Sequence, residues 1–289
     1  MKSVQMIDET GATWLLSGGN PVNFVYLHGA QELAPVRRLT QRAPLQNGVL
    51  DKGFRLDPRQ MQLDLLMSTD EVQSDGRWDR LVNLFAPTVN PLKLRVTRND
   101  GVQRQIDCFV NGKVAFQNFT DTGNKQLLQV PLLAPDPTFY DPVQQVVTQS
   151  LSSGTTTINV PVTGLSADDW PVIEVTGPAT VVSGTGLVIQ HMAVNEAIQF
   201  GSLIGATETI RLDFRPGYKG VTQVATGANR LSYLKAAYLT QLATMRVLSE
   251  KNLKVAAPGN TSDQFVFTIN GATGASSVTF KYYKRYLSL

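Results

Sequence analysis

Asp168 and Asp169 are adjacent carboxylates, the arrangement nearest to the acid pair that general acid/base chemistry or glycoside hydrolysis requires. They stand before Trp170-Pro171 in a polar stretch where Asp commonly bonds to turns, so a solvated turn is the expected use. The two histidines, His28 and His191, each end an apolar run, and neither has a second His or a Cys at metal-ligand spacing. Both read as structural or exposed. Cys108 is the only cysteine; it alternates with Ile106 and Val110, which fits a small buried hydrophobe better than a reactive thiolate and excludes an internal disulfide. Gly184-Thr185-Gly186 lacks a third glycine and runs into Leu187-Val188-Ile189, a hairpin turn rather than a dinucleotide loop. The sequence holds no G-x-S-x-G, phosphate-loop, H-E-x-x-H or complete calcium-loop pattern. No enzymatic activity, metal or cofactor is expected.

Binding chemistry is more concentrated. Arg37, Arg38, Arg42, Lys52, Arg55 and Arg59 form the densest basic stretch, offset by Glu32, Asp51, Asp57 and Asp64. Interleaved aromatics, which would stack on single-stranded nucleic acid, are missing from it. Arginine's planar fork suits protein interfaces, so Arg37, Arg38, Arg42, Arg55 and Arg59 are candidate subunit contacts. Residues 1–141 carry 15 basic and 15 acidic side chains and residues 142–289 carry 11 and 8, for a net charge of +3. Strong nucleic-acid binding, which needs many clustered cations, is not expected. The 289 residues include no apolar run of spanning length, and acidic residues occupy the place of a secretory core near the start, so neither membrane insertion nor export by signal peptide is expected.

The elements that hold these residues are mostly strands. Met61–Met67 and Leu92–Arg98 alternate with period two, and Asn99-Asp100-Gly101 turns the second into a partner carrying Val102, Ile106, Cys108 and Val110. Asn111-Gly112 and Asp121–Asn124 extend this meander through 113–119 and 125–133. One helix interrupts it, capped by Ser74 or Asp75, with an apolar stripe of Trp78, Leu81, Val82 and Phe85, and stopped by Pro87. Later, 156–162, 172–175, 187–191, 197–200, 209–214, 265–269 and 278–282 read as short strands separated by glycine-rich turns, the pattern of a β-sandwich. Between Leu231 and Glu250, Leu231, Leu234, Tyr238, Leu242, Met245 and Leu248 share a helical face and predict an inserted amphipathic helix.

A proline-rich run, Leu132–Pro142, marks the boundary. Its prolines keep Ala134, Asp136 and Asp141 extended, and the segment reads as a stiff connector in which Phe139 and Tyr140 are anchors against a neighbouring domain. The predicted architecture is mainly β: an α+β N-terminal domain over 1–141 with one helix, and a C-terminal sandwich over 142–289.

The connector Ala134-Pro135-Asp136-Pro137-Thr138-Phe139-Tyr140-Asp141 resembles the segment closing the N-terminal domain in the distal tail proteins of long, non-contractile-tailed bacteriophages. Leu45–Gly48 and Leu56–Met61 are similar to that family's hairpin approach to a strand, Pro91–Leu94 to the strand after its helix, and Trp170–Gly177, Pro258–Phe267 and Tyr282–Leu287 to parts of its galectin-like sandwich. The resemblance implies a hexameric ring of N-terminal domains with sandwiches outside, placed in the virion between the tail tube protein and tail-associated or receptor-binding proteins and assembled in host cytoplasm. Subunit contacts would fall on Arg37 to Arg59 and on the strands around 92–110. The 231–250 segment departs from the family pattern. Galectin-like sandwiches elsewhere bind sugars, so a carbohydrate-binding module mediating host attachment is the alternative, although His191-Met192-Ala193-Val194-Asn195 departs from the sugar-binding H-x-N-x-R spacing.

Overall fold

A computed structural model describes residues 1–17, 22–41, 50–68, 74–118, 125–182, 186–235, 240–272 and 276–289. Two compact units divide the chain: residues 1–142 with 286–289, and residues 143–285. The expected second domain, 142–289, therefore gives up its last four residues to the first.

In the first unit the chain forms β1 (Ser3–Ile7), β2 (Thr13–Leu15), β3 (Val22–His28), β4 (Val36–Gln41), β5 (Leu50–Leu56), β6 (Arg59–Ser68), α1 (Ser74–Leu84), β7 (Leu92–Thr97), β8 (Gln103–Val110), β9 (Ala115–Asn118), β10 (Lys125–Ala134) and β11 (Phe139–Tyr140). The main sheet runs β2-β1-β7-β8-β10-β6-β3, with antiparallel neighbours. The alternation seen in the sequence faces Met61, Leu63, Leu65 and Met67 of β6, and Leu92, Leu94 and Val96 of β7, into one core. At the β7–β8 turn, Gly101 adopts φ +85°, a left-handed conformation that suits glycine, and Asp100 accepts a hydrogen bond from the Val102 amide. Leu81, Leu84 and Phe85 bury one side of α1, whereas Val82, expected on that stripe, is exposed: the buried arc lies one residue step round the helix. The Asp121–Asn124 turn and Phe119 lie outside the described residues.

The second unit comprises β12 (Gln145–Ser150), β13 (Gly154–Pro161), β14 (Val172–Thr176), β15 (Leu187–His191), β16 (Glu196–Phe200), β17 (Thr209–Asp213), β18 (Gly220–Gln223), β19 (Ser262–Ile269) and β20 (Ser277–Tyr282), with α2 (Gln241–Thr244) and α3 (Glu250–Ala256) between β18 and β19. β21 (Arg285–Tyr286) spans the second crossing between units. Sheets ordered β12-β20-β14-β17-β18 and β13-β19-β15-β16 contribute to one core. β19 and β20 alternate strictly, placing Phe265, Phe267, Ile269, Val278, Phe280 and Tyr282 inside. Each large side chain so buried contributes about 1.5–3 kcal/mol of transfer free energy.

The helix predicted over 231–250 does not form. Among its described residues the stretch holds a 3-10 turn, Leu231–Tyr233, and the four-residue α2, with α3 starting at its end. Leu234 and Met245 are extended, and Leu234 bridges Phe200 while Val247 exchanges backbone hydrogen bonds with Asp169. These pairings take amides and carbonyls that a continuous helix would need. Leu234, Leu242, Met245 and Leu248 are nonetheless buried, so the apolar spacing reports burial without reporting helix. Tyr238 lies outside the described residues.

Candidate assembly surface

Arg59 opens β6 and was grouped by sequence with the surface arginines. It is only 1% exposed. Its guanidinium gathers four carbonyls: Nε donates to Pro137 O (2.9 Å), Nη1 to Gly29 O (2.6 Å) and Glu32 O (3.0 Å), and Nη2 to Leu287 O (2.6 Å). The plane also lies over Phe139, 5.2 Å from the ring centroid. Burial holds its pKa below the ordinary arginine value, partly offset by Glu32. Gly29 approaches so closely that a Cβ there would sit 2.4 Å from Gln60 O, besides requiring φ +76°. Arg59 is therefore a clasp between the 29–32 loop, the connector and the chain's end, and no surface for a neighbour.

A second arginine holds the same tail. Arg104 donates to Ser288 O (2.6 Å) and lies 3.8 Å over Tyr286. Ala34 N donates to Leu287 O (3.1 Å) and Leu289 N to Ala30 O (3.2 Å). Tyr286 also bonds Asp141, and its phenol is pushed up to about 12 by burial and by that bond.

The connector belongs to this arrangement. Asp136 caps its own turn, accepting from the Thr138 amide (3.1 Å) and hydroxyl (2.7 Å). Phe139 is fully buried in the first unit's core, and the Tyr140 hydroxyl donates to Asp107. Ala134 and Pro137 are buried and Pro135 is exposed. Phe139 and Tyr140, expected to anchor a neighbouring domain, instead fasten the segment to its own.

The other arginines have the opposite setting. Among the described residues β4 and β5 pair only with each other, a two-stranded ribbon in which every residue of β4 is exposed. Asp57 at the ribbon's base draws in Arg37 (2.9 Å) and Arg55 (3.3 Å), whose side chains remain more than half exposed. Arg38 sits 5.9 Å over Phe54. Val36 (56% exposed), Leu39 (40%) and Phe54 (58%) lie among them. A register shift between Arg38 and Thr40 and Gly53 at φ +102° add the local twist of a bulge. Arg42 lies outside the described residues. Isolated two-stranded ribbons are marginal in water, so the exposed apolar and arginine side chains here are suited to cover by another surface.

The remaining chemical candidates are committed to structure. Asp169 is buried, accepting from the Tyr283 amide (2.6 Å) and from Arg285; burial pushes its carboxyl above the ordinary range, against the pull of Arg285. Asp168 holds Ser249 N (2.7 Å), Asn252 Nδ2 (2.8 Å) and Arg246 (2.9 Å). Neither is the solvated turn expected, because they bind the 245–252 segment and the end of the last sandwich strand. His191 is buried against Asp263 (2.7 Å), whose other oxygen accepts from Leu248 N (2.9 Å). His28 is half exposed and bonded to Asp64 (3.0 Å). Burial pushes the Cys108 thiol up to about 12 and keeps it protonated. Among the described residues no three His, Cys, Asp or Glu side chains cluster as a metal site, and no helix is long and apolar enough to cross a membrane.

No family model matches the sequence, and no curated protein is similar to it. Solved structures are. The crystal structure of the SPP1 Dit (gp 19.1) protein, described as a paradigm of the hub adsorption apparatus in phages infecting Gram-positive bacteria, superposes with a TM-score of 0.65 at 14% identity, covering 98% of this chain and 99% of that one. Chains of the phage P2 baseplate in its activated conformation match with TM-scores of 0.54 (with Ca) and 0.53 (with Sr), each at 8% identity and 99% coverage of both chains. The fold over nearly the whole chain is that of a phage Dit hub protein: mainly β, built from antiparallel sheets.

Proposed function

We propose that this protein is a structural subunit of a phage tail tip, forming a hexameric ring that joins the tail tube to the host-adhesion apparatus. The observation that carries the reading is the β4–β5 ribbon. Among the described residues its two strands pair only with each other, β4 is exposed throughout, and the ribbon presents Val36, Leu39 and Phe54 beside Arg37, Arg38 and Arg55. In a ring this ribbon lies against the neighbouring subunit, where the apolar residues are removed from water and the arginines meet carboxylates or carbonyls. A head-to-tail contact repeated around a closed ring gives every subunit the same two neighbours. The full-length fold match to Dit and baseplate proteins supports this reading.

The role is structural rather than enzymatic. Asp168 and Asp169, the adjacent acids, are each bound by donors from their own chain. Its partners would be further copies of itself, the tail tube protein and receptor-binding or tail-associated proteins, in the virion. Equal basic and acidic counts over residues 1–141 leave a ring opening without the cation excess needed to retain DNA.

Light scattering and negative-stain imaging test the ring. Six chains of 31.6 kDa give a particle of about 190 kDa with six-fold symmetry. A monomer at every accessible concentration, with and without tail tube protein, would overturn the proposal.

A further inference from the structure

The sandwich ends in four edge strands, and its two flanks treat them differently. On one flank the chain's own segment 228–235 lies along β18 and β16. Gln223 N donates to Ala228 O (2.9 Å) and Arg230 N to Val221 O (2.7 Å); Gly201 N donates to Tyr233 O (2.8 Å) and Lys235 N to Gln199 O (3.1 Å). Residue bridges Thr222 to Asn229 and Phe200 to Leu234 complete the cover. Both edges are paired there.

On the other flank β12 and β13, joined by residues 151–153, end the two sheets, and among the described residues β12 pairs with β20 and β13 with β19. Antiparallel ladders alternate inward and outward residues, so the direction of each free group follows from one bond. Leu151 N donates to Ser276 O in the register that pairs Gln149 with Val278. Gln145, Val147 and Gln149 therefore point to β20, while the amides and carbonyls of Val146, Thr148 and Ser150 point to the open side. On β13 the outward set is Thr155, Thr157 and Asn159, because Met192 N bonds Gln264 O and turns the alternate residues of β19 toward β13.

Exposed edges are normally blunted by charge or proline. Residues 142–167 contain no Asp, Glu, Lys, Arg or His. β13 carries Pro161, and its Asn159 side chain is held by Gln264 (3.1 Å). β12 has neither device. Val146 (55%) is exposed on it and Val143 (70%) just before it, and a recess lined by residues 149–153, 155–157 and Ala272 opens at its end.

We propose that β12 is a strand acceptor: an extended, uncharged segment of a different polypeptide adds to it as a sixth strand, main chain to main chain. A row of free amides and carbonyls is satisfied by another strand, as this chain itself does on the opposite flank. The occupant is neutral because a charged strand would meet no counter-charge between 142 and 167. It is a different polypeptide because β12 paired with β12 closes at two copies about a two-fold axis, which the cyclic ring proposed above does not contain. Only that last choice rests on the ring.

The intact protein is titrated with a capped eight-residue peptide of alternating Thr and Val, and backbone amide exchange is followed. Slowing by about tenfold or more is expected at Val146, Thr148 and Ser150, with a peptide carrying Lys at alternate positions binding at least about tenfold more weakly. Thr148→Pro removes one outward amide and no backbone bond to β20, giving up only the exposed hydroxyl contact with Thr279 (3.3 Å), so the fold stays and the protection goes. If that variant does not fold, Thr148→Lys keeps the ladder and places a charge on the edge, and the protection falls. No slowing up to the peptide's solubility, slowing that persists in both variants, or slowing at Thr155, Thr157 and Asn159 instead would overturn the proposal. So would slowing that rises with protein concentration alone, which would assign the edge to a second copy. Exchange reads the edge and particle mass reads the ring, so either can fail without the other.

Discussion

Arg37, Arg55 and Arg59 lie within one short stretch of sequence and do opposite work. On the ribbon, Arg37 and Arg55 share one carboxylate, Asp57, and stay largely in water. At the start of β6, Arg59 is sealed from water and its donors reach four carbonyls on three separated segments. The difference teaches what burial does to one side-chain type. In water the guanidinium is free to exchange partners, so it suits a surface that meets another chain. Buried, its donors must all be met, and it fixes whatever carries the acceptors.

The sharpest way to break this contrast is Arg59→Met. Removing the fork takes the arginine donors from the carbonyls of Gly29, Glu32 and Pro137 and one donor from Leu287 O, which the Ala34 amide also meets, and the expected loss is about 3 kcal/mol, read by urea unfolding. Arg59→Lys keeps charge without the fork and should recover less than half of it. A loss under about 0.5 kcal/mol would show that the clasp is decorative.

The tail that Arg59 and Arg104 hold gives a smaller effect with a defined sign. The Tyr286 phenol is raised from 10.0 to about 12 in the folded protein. Its contribution is therefore fully present below pH 10 and is lost as pH rises toward 12. Alkaline titration should show Tyr286 ionising late, alongside Tyr282, whose phenol burial also raises, with release of residues 286–289 to protease, and Tyr286→Phe should remove the Tyr286 share of the late step.

Smallest in stability is Arg37→Ala with Arg55→Ala, expected to change unfolding by no more than about 0.5 kcal/mol because both side chains are solvated. The same pair should lower the fraction of about 190 kDa particles if the ribbon joins subunits. A stability loss matching that of Arg59→Met would erase the distinction between the two regions.

Much of this was readable beforehand. Period-two alternation located β6, β7 and β8, because a strand with one buried face writes its geometry into its own sequence, and short runs between glycine-rich turns located most of the sandwich strands, β19 and β20 among them. β12 was missed for the same reason: an edge strand exposed over most of its length has little apolar alternation to show. The 231–250 segment misled because buried residues three and four apart occur in irregular chain as well as in helix. The sequence marks Asp168 and Asp169 as a solvated turn, and the structure differs because their partners at 246, 249, 252, 283 and 285 are remote in the chain.

By itself, then, the amino-acid order determined the β class, the helix after β6, the break near residue 142 and the dense basic stretch over 37–59. Tertiary structure alone decided which arginine is buried, where the last four residues go and which sandwich edge stays open. Those outcomes depend on contacts such as Arg59 to Leu287, 228 residues apart. Local propensity acts over a few residues, while burial is set by whatever the rest of the fold brings alongside.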